Sequence, residues 1–252
     1  MTEIVLLGRR AVREVARYPE ATIPTLFIPL FFLAVNIGQV SKTFPSSSTA
    51  FLHGQNYAAF QLPVSLMFAV ATATSGLALV TEIDLGYFDK LLVAPIRRSS
   101  IIFGRLTADL ARGIGASTLV LLAGLAFGVH VQTGFLGAVL VVLLSALFGV
   151  AYAGFAILVA LRTRNVQATQ SSFILFFPLL FLTPNFVPFD RLSGAMETLA
   201  RINPVSYVIV GIRSLVIDGW DAGKIGIALG VIVLLGAVLT TLSLRAIATY
   251  DR

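Results

Sequence analysis

Six windows of this chain run for about 20 residues each, mostly apolar and free of charge, which is the length a helix needs to cross a bilayer core of ~30 Å. They fall at 21–40, 57–80, 113–131, 135–161, 166–183 and 225–244. A charge at mid-membrane costs about 2.5–3.5 kcal/mol even on the lenient insertion scale, so six windows without one are a strong signal. The fifth is the most polar, with Gln167, Thr169, Gln170, Ser171 and Ser172 in its first turns, yet Phe173 to Leu182 is apolar apart from Pro178. Charged residues make up 12% of the 252, about half the ~25% of an ordinary soluble domain. Too few remain to cover a globular surface, so lipid must cover it, and the class is an all-α integral membrane protein.

Lys and Arg between the windows set an orientation, because cytoplasmic loops collect them. The N-terminal segment carries four, residues 81–112 five, the 162–165 turn two and the tail two, against five in Lys42, Arg191, Arg201, Arg213 and Lys224. Both termini and residues 81–98 are therefore expected in the cytoplasm, as an even number of crossings requires. The turn Val131-Gln-Thr-Gly134 is short enough to force an antiparallel hairpin. Residues 184–224 form a long external segment whose Val205, Ile209, Ile212 and Val216 keep helical spacing. One or two short helices dipping toward the outer surface fit it better than a loose loop.

Ahead of the first window, residues 4–18 place Ile4, Val5, Leu7, Ala11, Val12 and Val15 on one half of a helix and Arg9, Arg10, Arg13 and Arg17 on the other. Such a helix lies flat with its arginines against anionic head groups, and Pro19 ends it. A basic arm for nucleic acid is the rival reading, disfavoured by the membrane window that follows at once. The arginines also break up any signal-peptide core. The expected organisation is one transmembrane domain over 1–252, with an interfacial helix at 1–20, a cytoplasmic helix at 81–98 and the external segment at 184–224.

Catalytic signals are absent. The chain has no cysteine, which removes disulfides, thiolate metal sites and thiol nucleophiles. No serine sits in a nucleophile elbow, and His53 and His130 have no carboxylate close in sequence. No Gly-rich loop ends in Gly-Lys-Ser/Thr, so ATP is not bound in that manner by this chain. Arg105, Asp109 and Arg112 at i, i+4 and i+7 read as an ion-pair ladder at a helix entry, ahead of a substrate or gating role. Asn36, Gln39, Gln61 and Thr72, with Thr74 and Ser75, are candidates for a translocation path, against the plainer reading of hydrogen bonds between helices.

The compact mixture of acids, bases, aromatics and a proline at Glu82-Ile-Asp-Leu-Gly-Tyr-Phe-Asp-Lys-Leu-Leu-Val-Ala-Pro95 stands apart. On a single helix Glu82, Gly86, Asp89 and Lys90 share one side, while Tyr87, Phe88, Leu91 and Leu92 face the other way. That suits a surface helix offering a charged ridge to a soluble partner.

The pattern Glu82-x-Asp84-x-Gly86-x-x-Asp89-Lys90-Leu91-x-x-x-Pro95 resembles the coupling region of ABC-2 type transporter permeases, in particular the drug and polyketide-antibiotic exporter branch. Asn203-Pro204-Val-Ser206-Tyr207, with Arg213 six residues on, is similar to that family's external element. Ile83 stands where a basic residue is common, and Ala94 where Ser or Thr is frequent. The resemblance covers nearly the whole chain. It implies no ATPase in this chain, no cofactor bound by it, and a partner nucleotide-binding subunit that carries ATP and Mg. Glu82, Gly86, Asp89, Lys90, Leu91 and Pro95 would couple the two, Gly86 by allowing close backbone approach. A second permease chain, identical or not, would complete the path in a bacterial plasma membrane. The expected function is ATP-driven export of hydrophobic or amphipathic molecules. Export of a polysaccharide or lipid-linked glycan, a membrane-embedded lipid-modifying enzyme and an anchor for a regulatory ATPase are the alternatives.

Overall fold

The computed structural model describes the backbone of residues 19–71 and 75–250, and side chains from Leu26 onward. The interfacial helix expected at 4–18, together with Thr72 and Thr74, lies outside the described residues. Within them the chain is helical, without a strand: α1 Pro19–Val40, α2 Tyr57–Ala71, α3 Ser75–Asp84, α4 Tyr87–Val93, α5 Arg98–Ala126, α6 Gly134–Thr163, α7 Val166–Ile174, α8 Phe176–Phe181, α9 Gly194–Ile202, α10 Pro204–Arg213 and α11 Ala222–Ala248. A π-turn, Ser214–Asp218, continues α10.

Four helices among the described residues are long and apolar enough to cross a membrane: Tyr57–Asp84 taken whole, α5, α6 and α11. The pair Gly194–Ile202 and Pro204–Asp218 is bent by 87° and would count as a fifth only as a broken span. Of the six crossings expected, four are thus met by helices among the described residues. Helix α1, with 22 residues, is about 33 Å long and matches the hydrocarbon thickness, whereas the apolar Val166–Phe181 reaches only roughly 24 Å. The second of these is interrupted at Leu175 between α7 and α8. Pro178 has no N–H for the Ile174 carbonyl, and the Ser172 hydroxyl bonds back to the Thr169 carbonyl at 2.6 Å, which also bends helices. Helix α5, which holds the third window, begins at Arg98, well before the charge-free stretch at 113, because paired charges do not stop a helix.

Every residue of α2 is buried, which makes it the central element. Helix α6 is the hub of the packing, and its neighbours approach it at backbone distance. A Cβ at Gly76 would lie 2.8 Å from the Ala156 carbonyl oxygen, one at Gly149 2.9 Å from Val70 Cβ, and one at Gly154 3.1 Å from Leu239 Cβ. Lipid supplies no hydrophobic drive between helices, so close packing of small residues must hold them. The Ser243 hydroxyl adds a bond to the Gly154 carbonyl at 2.8 Å and clamps α11 to α6. The buried residues fall into two clusters. The larger lies around α2 and α10. The smaller gathers Phe88, Ile101, Ile102, Ile157, Ile247 and Tyr250 at the arginine-rich end, where α4 rests.

Candidate functional site

The single helix expected over 82–95 is two helices. Helix α3 ends at Asp84, and Gly86 turns the chain in the left-handed region at φ 66° before α4 begins. A Cβ at Gly86 would meet no other atom of this chain within 4 Å, so within the chain the glycine is required by its backbone conformation. Ala94 is extended at ψ 149°, as the residue ahead of Pro95 must be.

Phe88 is fully buried, while Asp89, Lys90, Val93 and Pro95 are exposed. With Phe88 pointing inward, Leu91 and Leu92 fall within about 60° of it on the helix, and Asp89, Val93 and Lys90 between about 100° and 200° away. Leu91 is half-buried against the smaller cluster, so it belongs to the seat and not to the outward ridge. Val93, 85% exposed, takes the outward place that no sequence signal had marked. Glu82, on α3, is half-buried and paired with Arg105 of α5. It therefore does not share a face with Asp89. Arg112 pairs with the buried Asp109, so the ladder expected along α5 is one pair within the helix and one across to α3.

The seat of α4 is an aromatic junction at the end of α11. The Phe88 and Tyr250 rings meet edge to face at 5.0 Å between centroids. The Arg164 guanidinium lies over the Tyr250 ring at 4.0 Å and donates to the Tyr250 carbonyl at 2.7 Å. Arg98, at the start of α5, donates to the Ile247 carbonyl at 3.0 Å. The last carbonyls of a helix are its electron-rich end, which cations favour.

At the opposite end, non-helical backbone after α8 is held by side chains from other elements. Asn203 donates to the Leu182 carbonyl at 2.9 Å and to that of Leu179. Arg213 donates to Pro184 at 3.1 Å, and Gln61 to Asn185 at 3.1 Å. The Tyr57 hydroxyl donates to Phe186 at 2.9 Å. Backbone that leaves the helix at membrane depth survives only where its polar groups are met in this way. Arg213 also donates twice to the Phe60 carbonyl and stacks over the Phe60 ring at 3.5 Å. Asn203 caps α10 by accepting the Val205 N–H, Pro204 follows at the first helical position, and Tyr207 donates to the Arg201 carbonyl at 2.7 Å. Asn203, Pro204, Tyr207 and Arg213 of the Asn-Pro-x-Ser-Tyr…Arg residues thus lie in one construction. Of the polar span residues, Gln61 and Asn36 are buried, whereas Gln39 is exposed. His53, without a carboxylate near it in sequence, lies 3.4 Å from Asp218, a pair that only the fold creates.

The pattern of the ABC-2 type transporter family matches residues 2–217. A daunorubicin resistance ABC transporter permease protein of Streptomyces coeruleorubidus is 28% identical over 94% of this chain and 82% of its own length. A protein of Mycobacterium tuberculosis, named as a probable doxorubicin resistance ABC transporter permease, is 23% identical over 63% of this chain and 58% of its own length.

Proposed function

Because the chain belongs to the ABC-2 type transporter family, we propose that it is the membrane subunit of an ATP-driven exporter of hydrophobic or amphipathic, drug-like molecules. The family is that of membrane subunits, whose ATPase is a separate chain. One observation carries the reading. Helix α4 is seated by Phe88 and turns Asp89, Lys90 and Val93 away from the bundle end, where a soluble ATPase has access to them. On this reading ATP and Mg are held by that ATPase, and the arginine-rich end faces the cytoplasm with both termini. Leu26–Val40, with the residues before it, and the kinked Val166–Phe181 complete six crossings of a bacterial plasma membrane. A second permease chain completes the path. The relatives named for resistance to daunorubicin and doxorubicin support a drug-like cargo.

The test is reconstitution of the chain with its ATPase subunit in liposomes, following doxorubicin by its fluorescence. ATP-dependent movement of doxorubicin that needs both subunits is expected. ATP hydrolysis that proceeds without any such movement overturns the cargo assignment, and failure of the two subunits to associate overturns the exporter reading.

A further inference from the structure

Helix α4 has no stiff covalent route into the bundle. It leaves α3 through the left-handed Gly86 and reaches α5 through the extended Ala94–Pro95, and neither connection continues a helix. A push on its outward face must therefore leave through its side-chain seat. We infer that the Phe88–Tyr250 contact is where α4 passes its movement to the last helix, and that Arg164 and Arg98 are positioning residues that hold Tyr250 for it. This inference rests on the exporter reading.

Three observations lead to it. Phe88 is fully buried, and its ring and that of Tyr250 meet edge to face, so the contact transmits compression without a gap. Tyr250 is held in addition by Arg164, which stacks on its ring and binds its carbonyl. Arg164 does this from a left-handed backbone at φ 49°, a conformation unfavourable for any residue with a Cβ and kept only where the surroundings over-determine it. The third is what α11 joins. It runs unbroken from Ala222 to Ala248, a rod of roughly 40 Å. At its far end a Cβ on Gly211 would come within 2.5 Å of Ala228 Cβ and 3.0 Å of the Lys224 carbonyl oxygen. Helix α10 therefore lies in backbone contact with the start of α11, and two residues past Gly211 it carries Arg213, which grips Pro184. Displacement of Tyr250 is delivered to the non-helical segment at the opposite end.

The test compares Tyr250→Ala, Tyr250→Phe and Arg164→Lys in liposomes with the ATPase subunit, reading bound ATPase, ATP turnover and doxorubicin moved. With the aromatic pair and the stacked cation gone, Tyr250→Ala is expected to keep the ATPase bound and hydrolysing while doxorubicin moved per ATP falls about tenfold. Tyr250→Phe keeps the ring and stays within about twofold of wild type. Arg164→Lys retains a charge but not the planar stack, and falls between them. Wild-type transport per ATP in Tyr250→Ala overturns the inference, as does loss of transport in strict proportion to loss of bound ATPase. If Tyr250→Ala does not insert, Tyr250→Leu replaces it. A second readout needs no cargo. The chain lacks cysteine, so Ala222→Cys takes a single environment-sensitive dye at the far end of α11. Its signal is expected to change on ATP addition with Tyr250 present and not with Tyr250→Ala. A wild type that moves no doxorubicin but shows this dye change refutes the cargo assignment alone; the same dye change in Tyr250→Ala refutes the junction.

Discussion

Glu82 and Arg105 form an ion pair that ties the end of α3 to the first half of α5, with side chains only 19% and 11% exposed. Removing one partner leaves the other charge short of its nearest counter-ion, at about 1.5–3 kcal/mol, because Arg105 still faces the Ser75 carbonyl and Asp109. Glu82→Gln is expected to lower the thermal unfolding midpoint of the detergent-solubilised chain sharply. The double variant Glu82→Gln with Arg105→Gln should lose less than the two single losses combined, because neither charge is then left short of its counter-ion.

The outward face of α4 makes the opposite forecast. Asp89 and Val93 are exposed and belong to no core cluster, so Asp89→Arg and Val93→Asp should leave thermal stability within about 0.5 kcal/mol. Membrane insertion should also be unchanged. Doxorubicin movement driven by the ATPase subunit should fall in both, and unchanged transport would remove this face from the interface.

What was legible in the sequence follows the range of the forces involved. Charge-free windows reveal helices long enough to cross lipid, and Tyr57–Asp84, α6 and α11 lie close to their expected bounds. The helix of the third window starts at Arg98, ahead of its charge-free stretch, as a ladder of charges at a helix entry implies, and Asp109 and Arg112 pair within it. A helical wheel drawn through 82–95 could not register a left-handed residue at Gly86, so it put Glu82 and Asp89 on one ridge. Asn203, Pro204, Tyr207 and Arg213 were recognisable as a motif. The work of Asn203 and Arg213, the capture of carbonyls from residues 179–184 and from Phe60, spans separations that no local pattern encodes. The Phe88–Tyr250 seat was invisible for the same reason.

Arg213 offers the sharpest measure of that capture. Its guanidinium bridges the Phe60 and Pro184 carbonyls as a fork, and an ammonium cannot reach both with the same geometry. Arg213→Lys should cost about 1.5–3 kcal/mol, read as a lower unfolding midpoint. It should also speed protease cleavage between residues 182 and 188, while cleavage near α4 stays at the wild-type rate.

Acid should loosen the start of α11 through Asp221. This carboxylate caps the helix by accepting the Lys224 backbone N–H at 3.0 Å. That bond holds its pKa below the usual 3.8, with the Lys224 ammonium adding to the effect. A lowered folded pKa means the contribution is complete above about pH 4 and is lost as pH falls through the lowered value. Asp218, which binds the same ammonium, and His53 beside it complete the local charge set. Asp221→Asn keeps the cap but has no proton to gain. Its unfolding midpoint should therefore decline less between pH 5 and pH 2.5 than that of the wild type.

Gly86 separates backbone from packing more cleanly than any other position near α4. Its φ of 66° lies in the left-handed region, and nothing within 4 Å would obstruct a Cβ there. Gly86→Ala therefore adds no clash, only the left-handed cost of roughly 1–2 kcal/mol. Gly86→Asn, whose side chain tolerates that region, should recover much of it. Because the turn sets the angle at which α4 meets Tyr250, the two variants should rank alike in stability and in doxorubicin moved per ATP. A Gly86→Ala variant as stable as wild type would mean that the turn is not held in this conformation at all.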